Sequence, residues 1–591
     1  MQQNNTKIKI LPENLTNKIA AGEVIDRPAS VVKELVENSI DAGASEITVV
    51  IAEGGKSLIQ VVDDGAGMSE ADLLLAFQRH ATSKIFSYED LIHIHTLGFR
   101  GEALASIASV SRVEAKSIVQ GSYSGHLIRI SGGVMDGVEG AGGNPGTSIT
   151  VKNLFYNTPA RRKFLRATNT EYRQILKVLN RFFLACPQIA FSFVKDGEII
   201  TELQPESLED RVRSVFGGRI QKNLIPIENE GSVRISGFTG NQDTTRATRG
   251  DQYLYFNKRY FTNKSLHYAV LSAYGDIIPK GHYPVYVVFL EMEAEQADVN
   301  VHPTKMEIKF ANESLVFSSL RGAVKRALSS EEVVPQLSSH QNSHLPHRQP
   351  GPFRPNRPDR DWGAAEIDSH SWTDNTLFEE EDFSRGRNEE SGSESLTSAK
   401  EAFKPTHVWQ VHNKYILSQI KNGVILIDQH VAHERILYEQ ALERFEKRKP
   451  SSQQLLFPQI VELSSEDYSV LLDMIPFLEQ IGFVLKAFGK NTVVLEGVPS
   501  GIKISDEEKI LLDIIDEYKR GKRENPDIRD NVAKSFACHS AIKAGDPLSL
   551  EAMNSLIDQL FSTKEPYFCP HGRPVLINLS LEELDRRFRR H

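Results

Sequence analysis

Residues 331–403 interrupt the sequence with a stretch that has the apolar periodicity of neither a helix nor a strand. The stretch is polar and poor in aliphatic residues, with prolines concentrated between 346 and 358 and an acidic run at 379–381. Such a segment cannot bury enough apolar surface to offset the entropy lost on ordering the chain. We therefore predict a disordered linker at 331–403, which separates an N-terminal folded block from a C-terminal one.

The size and charge of the chain restrict its class only loosely. At 591 residues it exceeds what a single hydrophobic core supports. The net charge of −9 argues against a nucleic-acid partner only as an average, because phosphate contact needs a local basic surface. Basic clusters occur at 161–166, 258–259, 447–449 and 586–590, and each alone is more typical of a solvated face. Composition leaves DNA binding open.

Three features bear on the compartment. The N-terminus has neither the basic nor the apolar region of a secretory signal, and no run approaches the ~18–20 apolar residues of a membrane-spanning helix. The cysteines are Cys186, Cys538 and Cys569, an odd and sparse set that argues against a disulfide framework. We expect a cytoplasmic, nucleoid-associated protein without membrane contact, in which Cys186 is a small buried hydrophobic residue.

The N-terminal block begins with an α/β pattern. Residues Pro28–Ile40 combine a proline suited to a first helical turn with an apolar stripe, and an Asp-Ala-Gly sequence ends the helix at Gly43. Two short strands follow at Ile47–Ile51 and Leu58–Val62. The second strand leads into a glycine-rich turn at 63–67, and a sharp turn at a strand end is a common place for a ligand.

Glu34 and Asn38 lie four residues apart on this helix and therefore share a face. A carboxylate can orient and deprotonate an attacking water, and an amide oxygen can ligate Mg²⁺. Taken alone, such a pair is more typical of solvent-facing helix positions.

Three further elements suit a nucleotide. Asp63 can accept a hydrogen bond from an adenine amino group, while Gly65 and Gly67 allow close backbone approach. The loop Gly98–Leu104 enters a predicted helix, and its amides can cradle phosphates at the helix N-terminus. Gly146 and Thr147 begin a predicted strand that ends at Val151.

In this order, these elements resemble the GHKL ATPase superfamily, which includes gyrase, heat-shock chaperones, histidine kinases and the MutL family. Longer motifs are similar to the MutL family in particular, and the resemblance runs almost unbroken through residues 8–312. The motifs are Ile19–Ile25, Arg27–Ser30, Arg79–Lys84, Gly98–Ser106 and Asn157–Phe164, followed by Asp298–Pro303 and Lys305.

The resemblance implies a role for each matched residue. Glu34 would be the general base for ATP hydrolysis, Asn38 the Mg²⁺ ligand and Asp63 the adenine reader. Lys305 would reach the γ-phosphate from the second subdomain. The remaining nucleotide-binding residues would be Gly65, Gly67, Thr82 and Thr147, with a lid formed by Gly98, Phe99, Arg100, Gly101, Glu102, Ala103 and Leu104. The resemblance also implies that two N-terminal regions close together when ATP is bound.

The C-terminal block offers residues suited to a metal. Val424–Ile427 has the pattern of a strand, and Val431–Leu442 that of a helix. His430 and Glu434 lie four residues apart and can meet one ion. Far along the chain, Cys538 precedes a histidine, and Cys569 and His571 flank a proline. Each residue alone has an ordinary structural explanation, and the combination points to a metal.

This combination resembles the endonuclease form of the MutL C-terminal domain. The motif at Asp428–Glu439 matches with one change, and motifs at 537–543, 569–574 and 588–590 complete the set. The resemblance implies one or two divalent ions, zinc or manganese, among Asp428, His430, Glu434, Cys538, Cys569 and His571, with Asp428 and Glu434 serving DNA cleavage. Val431 in place of alanine and His539 in place of a basic residue depart from the family, which puts the nicking rate and metal preference in doubt.

One short motif indicates a protein partner. Gln453, Leu456 and Pro458 have the QxxLxP spacing of peptides that dock on the replicative sliding clamp. A match of six residues is weak alone and gains weight within a MutL-type C-terminal domain.

The predicted fold class is α/β throughout, in α+β sandwiches. We expect a GHKL (Bergerat) ATPase domain at 1–216, a domain resembling ribosomal protein S5 at 217–330, and a dimerisation and endonuclease domain at 404–591 with an external subdomain near 455–530. The expected function is DNA mismatch repair by an ATP- and Mg²⁺-dependent homodimer, with double-stranded DNA, the mismatch-recognition protein MutS and the sliding clamp as partners.

Two alternatives stay open. One is an ATP-driven matchmaker without nuclease activity, whose Cys/His cluster holds structural zinc. The other is a different GHKL protein, such as a topoisomerase subunit, a chaperone or a histidine kinase. Metal-dependent nicking separates the first from the endonuclease.

Overall fold

The computed structural model describes residues 25–86, 96–98, 101–217, 220, 223–275, 277–279, 281–298, 308–331, 408–447, 450–500, 507–521 and 527–590. These residues belong to one compact unit. Within these ranges, no helix has the length and hydropathy needed to span a membrane. The predicted linker falls almost wholly outside them, as do Phe99, Arg100 and Lys305.

The N-terminal part is built on an eight-stranded sheet in the order β5-β4-β3-β6-β2-β1-β7-β8. Its neighbouring strands are antiparallel except for β1 and β7. The strands are β1 Glu46–Ala52, β2 Leu58–Asp63, β3 Arg112–Ile118, β4 Ser124–Ser131, β5 Val134–Gly142, β6 Gly146–Lys152, β7 Ala190–Lys195 and β8 Glu198–Leu203. The helices of this part are α1 Pro28–Asp41, α2 Glu70–Leu75, α3 Ala103–Val110, α4 Pro159–Phe164, α5 Thr168–Ala185 and α6 Leu208–Phe216.

Helix α1 forms where the sequence places it, with Pro28 in its first turn and one apolar face. That face is buried against the sheet together with α5, because Val31, Val32 and Leu35 share a core with the strands. The polar face of α1 is consequently left to line a cleft.

A second sheet has five strands in the order β12-β11-β13-β10-β9. They are β9 Leu224–Asn229, β10 Arg234–Gly240, β11 Gln252–Phe256, β12 Arg259–Phe261 and β13 Tyr286–Glu291. Helices α7 Lys264–Tyr274 and α8 Glu313–Glu331 pack on it around a separate core. A two-stranded ladder, β14 Ala297–Asp298 with β15 Lys309–Phe310, completes this part.

The C-terminal part contains a four-stranded sheet in the order β16-β17-β18-β22. The strands are β16 Val408–Val411, β17 Tyr415–Ile420, β18 Gly423–Asp428 and β22 Leu576–Ser580. One face of this sheet packs on α9 Gln429–Lys447 and α13 Leu550–Phe561. Helix α14 Leu581–Arg587 follows the last strand.

A three-stranded sheet, in the order β19-β21-β20, lies beside it. Its strands are β19 Ser452–Glu462, β20 Val484–Ala487 and β21 Thr492–Pro499, and the associated helices are α10 Ser465–Ile481, α11 Glu507–Gly521 and α12 Ile528–Ser540. These elements share one core with part of α9. Apolar packing therefore joins this sheet to α9, the helix that carries His430 and Glu434.

A cluster of buried charges joins the two halves of the chain. Arg246 contacts the carboxylate of Asp467, and its Nε lies 3.2 Å from Asp251 and 3.8 Å from Asp516. Lys519 Nζ lies 2.6 Å from Asp467 Oδ1. Asp467 and Asp516 are almost fully buried, and charges taken out of water persist only when they are paired in this way.

The observed architecture confirms the predicted α/β class. The helix predicted at Pro28–Ile40 and the strands predicted at Ile47–Ile51 and Leu58–Val62 are each present and extend one or two residues further. The C-terminal strand and helix are likewise present, as β18 and α9. The proposed domain boundaries stay predictions.

Candidate nucleotide and metal sites

A cleft of about 1830 Å³ opens beside the polar face of α1. It is larger than the ~300–1,000 Å³ of most small-molecule sites. The predicted residues that line it are Glu34, Asn38, Asp63, Gly67, Thr82, Gly98, Gly101, Glu102, Ala103, Leu104 and Thr147. The structure thus brings together residues that lie more than a hundred positions apart in sequence.

Asp63 is fixed at the end of β2 by three donors. Ser39 Oγ donates to Oδ2 at 2.6 Å, and the amides of Gly65 and Thr147 donate to Oδ1 at 3.0 and 3.3 Å. Burial raises the pKa of this carboxyl, against the lowering effect of these hydrogen bonds. A carboxylate has about four acceptor positions, so the arrangement leaves room for a donor from a ligand. Gly65 supports Asp63 through its backbone amide and does not line the cleft.

Gly67 is required by its backbone. Its φ is +71°, and a Cβ there would lie 2.0 Å from the carbonyl oxygen of Ile118. Only glycine fits this close approach, which lets the turn after β2 lie against the end of β3.

Glu34 is paired with its neighbour on α1. Lys33 Nζ lies 2.9 Å from Glu34 Oε1 and 2.9 Å from Glu37 Oε1. Burial lowers the pKa of Lys33, but the charges of Glu37 and Glu34 outweigh burial and raise it overall. Lys33 therefore stays cationic and forms an ion pair with Glu34. Sequence reasoning missed Lys33, although it adjoins the predicted base.

Asn38 contacts a lysine that the predicted site set did not include. Lys84 Nζ donates to Asn38 Oδ1 at 2.9 Å and lies 2.5 Å from Asp41 Oδ2. Asp41 also accepts from the amides of Leu97 at 2.9 Å and Gly98 at 3.0 Å. One carboxylate thus ties the end of α1 to the start of the predicted lid.

The second sheet reaches the same residues. Arg259, on β12, donates from Nη2 to the carbonyl oxygens of Thr96 at 2.7 Å and Leu97 at 3.2 Å. Burial lowers the pKa of this guanidinium. The contact gives the second sheet a direct connection to the edge of the cleft. Arg259 was noted in the sequence only as part of a basic cluster.

In the C-terminal part, Asp428 acts as the cap of α9. Its Oδ1 accepts from the backbone amides of His430 at 3.0 Å and Val431 at 3.1 Å. His430 Nδ1 lies 2.9 Å from the carbonyl oxygen of Ile542, so it carries the proton and leaves Nε2 as the ligand atom. Val431 occupies the helix start without displacing a candidate ligand.

Glu434, Cys569 and His571 form the candidate metal cluster. Their ligand atoms all lie within 4.8 Å of one another, and Glu434 is fully buried. His571 Nδ1 lies 2.5 Å from Glu434 Oε1, and Arg573 Nη2 donates to Glu434 Oε2 at 2.8 Å. Burial raises the pKa of Glu434, but His571 and Arg573 outweigh it and lower the value overall. Glu434 and Cys569 are buried and His571 is exposed, and a carboxylate, a thiol and an imidazole placed together in this way fit a divalent ion such as zinc.

Asp428, His430 and Cys538 are not part of this cluster of three among the described residues, and their metal roles stay predictions. Burial raises the pKa of the Cys538 thiol to about 12, and the carboxylates of Glu434 and Glu517 add to the rise. Cys538 therefore lies in the electrostatic field of the cluster. Glu517, on α11, was missed because no motif marks it.

Cys186 is buried in the N-terminal core, as predicted, and burial raises its pKa to about 11. The sliding-clamp motif lies on β19, where pairing with β21 is interrupted between Gln454 and Gln459. Leu456 is 92% exposed and Phe457 75% exposed. The motif thus forms an exposed bulge with two apolar side chains in solvent.

Three family models match the chain. Residues 26–130 match the family described as histidine kinase-, DNA gyrase B- and HSP90-like ATPase, and 212–329 match the DNA mismatch repair protein, C-terminal domain. Residues 408–548 match the MutL C-terminal dimerisation domain.

Individual proteins match over the full length. A DNA mismatch repair protein MutL from Chlorobium phaeovibrioides is 42% identical over 98% of this chain and 99% of its own, and one from Pelodictyon phaeoclathratiforme is 41% identical over 99% and 100%. A solved structure titled "Aquifex aeolicus MutL ATPase domain complexed with ADP" is 28% identical, covers 50% of this chain and 98% of its own, and has a TM-score of 0.36.

Proposed function

Because the chain belongs to the MutL family of DNA mismatch repair proteins, we propose that it is a homodimeric, ATP-hydrolysing repair protein that also nicks DNA. It carries the ATPase domain and the C-terminal dimerisation domain of that family. ATP binding would couple mismatch recognition by MutS to the later steps of repair. The cluster of Glu434, Cys569 and His571 carries the nicking part of the proposal.

At the nucleotide cleft, each residue has a definite task. Asp63, held by three donors, accepts from the adenine amino group, and Glu34 takes the proton of the attacking water. Lys33 pairs with that carboxylate at 2.9 Å and holds it in position. Mg²⁺ supplies charge neutralisation at the phosphates when bound, with Asn38 as the residue to hold it. Lys305 lies outside the described residues, and its role at the γ-phosphate stays a prediction.

At the C-terminal cluster, the chain provides candidate metal ligands and one cationic side chain, that of Arg573. A bound divalent ion would make water nucleophilic near neutral pH. Glu434, Cys569 and His571 would hold the ion, with Asp428, His430 and Cys538 as further candidates. Arg573 pairs with Glu434 through Nη2, while half of its side chain is exposed. That exposed part can contact a DNA phosphate and place the backbone beside the cluster.

The four-stranded sheet supports the homodimer. Strand register places Trp409 beside Leu417, Leu417 beside Leu426, and Leu426 beside Ile577. The row crosses all four strands on the face opposite the core, and Trp409 and Ile577 are 52% and 56% exposed. An apolar row of this extent on a dimerisation domain suits the same face of a second copy.

The remaining partners are supported by surface chemistry. The short helix α4 has no buried residue and carries Arg161, Arg162 and Lys163, which suits the phosphate backbone of double-stranded DNA. The exposed bulge with Leu456 and Phe457 suits an apolar pocket on the sliding clamp.

Nicking of supercoiled plasmid by the full chain with Mn²⁺, with and without ATP and the clamp, tests the proposal. We expect nicking by the wild type, none by Glu434→Gln, and wild-type activity from the exposed control Glu551→Gln. Glu434→Gln removes the charge that pairs with Arg573. Because the Arg573 side chain is half exposed, its guanidinium can still be solvated by water. Retention of zinc without nicking by the wild type would favour the matchmaker with a structural metal.

A further inference from the structure

A second carboxylate faces the candidate metal cluster from a different element. Glu517 Oε1, on α11, lies 3.9 Å from His571 Nε2, on the side of the ring opposite Glu434. The Glu517 side chain is 14% exposed. The imidazole of His571 thus lies between two acidic groups, one from each side of the cluster.

The contacts of His571 make this placement informative. Its Nδ1 lies 2.5 Å from Glu434 Oε1, so Nε2 is the ring nitrogen that faces Glu517. An imidazole nitrogen and a carboxylate oxygen are both ligand atoms for a divalent ion such as zinc.

The separation suits two atoms bound to one ion. Ligand atoms at about 2.1 Å from a tetrahedral ion lie about 3.4 Å apart. The observed 3.9 Å therefore needs a movement of only about 0.5 Å.

Packing holds Glu517 at this position. Its neighbour Tyr518 is 1% exposed within the core of the three-stranded sheet. Lys519 is tied to Asp467 in the buried charge cluster. Helix α11 is consequently anchored directly after Glu517. Among the described residues, Glu517 also forms an ion pair with Arg520, at 3.2 Å on a side chain that is 47% exposed.

We propose that Glu517 is an additional ligand, which binds a divalent ion together with Nε2 of His571. The inference rests on the proposed metal-dependent function. It deepens that function by assigning a ligand from α11, outside every metal motif in the sequence. The structural alternative is that Glu517 only forms an ion pair with Arg520 or with a protonated His571.

The test measures metal binding by the full chain. Zn²⁺ affinity and stoichiometry are determined by competition with a chelating dye, and the visible spectrum of the Co²⁺ form reports its coordination. We expect Glu517→Gln to lose affinity about 10- to 100-fold and to alter the Co²⁺ spectrum. Glu517→Asp, which keeps the charge, should recover part of the affinity.

Two controls isolate the ligand role. Arg520→Gln removes the ion pair without the carboxylate and should bind Zn²⁺ as the wild type does. The thermal midpoint and ATPase rate of metal-free Glu517→Gln establish that it is folded. Equal affinity and spectra for wild type and Glu517→Gln would overturn the inference and leave the proposed function standing. Absence of metal binding by the wild type would overturn both.

Discussion

Lys84 Nζ lies 2.5 Å from Asp41 Oδ2, at the end of the helix that carries the predicted ATPase base. Because the same lysine donates to Asn38, the predicted Mg²⁺ ligand is held by a protein cation. Asp41 in turn holds the backbone at 97–98. These contacts hold the end of α1 and the backbone at 97–98 in one arrangement beside the cleft.

Asp41→Asn should weaken ATP binding. The substitution removes the charge that accepts from Lys84, Leu97 and Gly98, and hydrogen bonds to a charged group contribute about 1.5–3 kcal/mol each. We expect the Kd for ATP to rise by about 10-fold or more, measured by calorimetry. An unchanged Kd would show that the contacts of Asp41 do not affect ATP binding.

Glu34→Gln should separate binding from hydrolysis. The amide preserves the shape of the side chain but cannot take a proton, and general-base catalysis contributes about 10²–10⁴-fold. We expect steady-state ATP turnover to fall by at least about 100-fold with little change in Kd. Glu37→Gln is the matched control, since Glu37 contacts the same lysine. Wild-type turnover by Glu34→Gln would refute the assignment.

Trp409→Lys should weaken the dimer. An aromatic anchor in an interface contributes about 2 kcal/mol or more, so we expect a dissociation constant at least about 30-fold higher, measured by sedimentation equilibrium. Leu550→Lys is the control, because Leu550 is 57% exposed and lies at the start of α13, outside the sheet. Equal association of both variants would exclude this face as the dimer contact.

Leu456→Ala with Phe457→Ala should abolish clamp binding without affecting the fold. Both side chains are largely exposed, so their loss removes little packing and should change unfolding free energy by no more than about 0.5 kcal/mol. Binding is measured by surface plasmon resonance with immobilised clamp. Ile460→Ala, on the same strand and 63% exposed, should bind as the wild type does; a similar loss in both would indicate a general effect of the strand.

The buried charge cluster should respond to pH in opposite ways at two of its carboxyls. Burial raises the pKa of Asp516 to about 6, from an ordinary value of 3.8, and among the described residues its Oδ1 has no hydrogen-bond partner. Its ionised form is therefore disfavoured on folding, and its contribution to stability falls as pH rises from about 4 to about 6. Asp516→Asn should stabilise the protein at pH 7.5 by on the order of 2 kcal/mol and have little effect near pH 4.

Asp467→Asn should instead destabilise the protein at pH 7.5. Burial raises the pKa of Asp467, but Arg246 and Lys519 outweigh burial and lower it overall. At pH values above the ordinary pKa of 3.8, the ionised form of Asp467 therefore stabilises the fold. This stabilisation is lost as the pH falls below that value. Breaking such a buried pair costs about 3–5 kcal/mol, so urea denaturation at pH 7.5 should show a large loss. Equal behaviour of both variants would contradict the assignment of charges.

Local features of the fold could be predicted from the sequence. Contacts between residues far apart in the sequence could not. The stripe on α1 and the turn after β2 are set by residues a few positions apart, so Glu34, Asn38 and Asp63 could be predicted before their geometry was known. The contact of Arg259 with Thr96 joins residues 163 apart in sequence, and no periodicity encodes it.

The metal cluster shows the same division. Glu434, Cys569 and His571 were predicted because each lies in a motif, and the structure brings them together. Glu517 lies in an amphipathic helix with no motif, and only the packing of α11 against the core places its carboxylate near His571. Arg573 was within a quoted motif, yet its pairing with Glu434 depends on the tertiary fold.

The pairing of Arg246 with Asp467 closes a loop between positions 221 apart in the chain. The folded parts that contain these two residues are therefore held together by a direct contact. The entropy of closing such a loop grows only with the logarithm of its length, about 0.6 kcal/mol for each doubling. A change in the number of residues between Arg246 and Asp467 should therefore cost the folded parts little free energy.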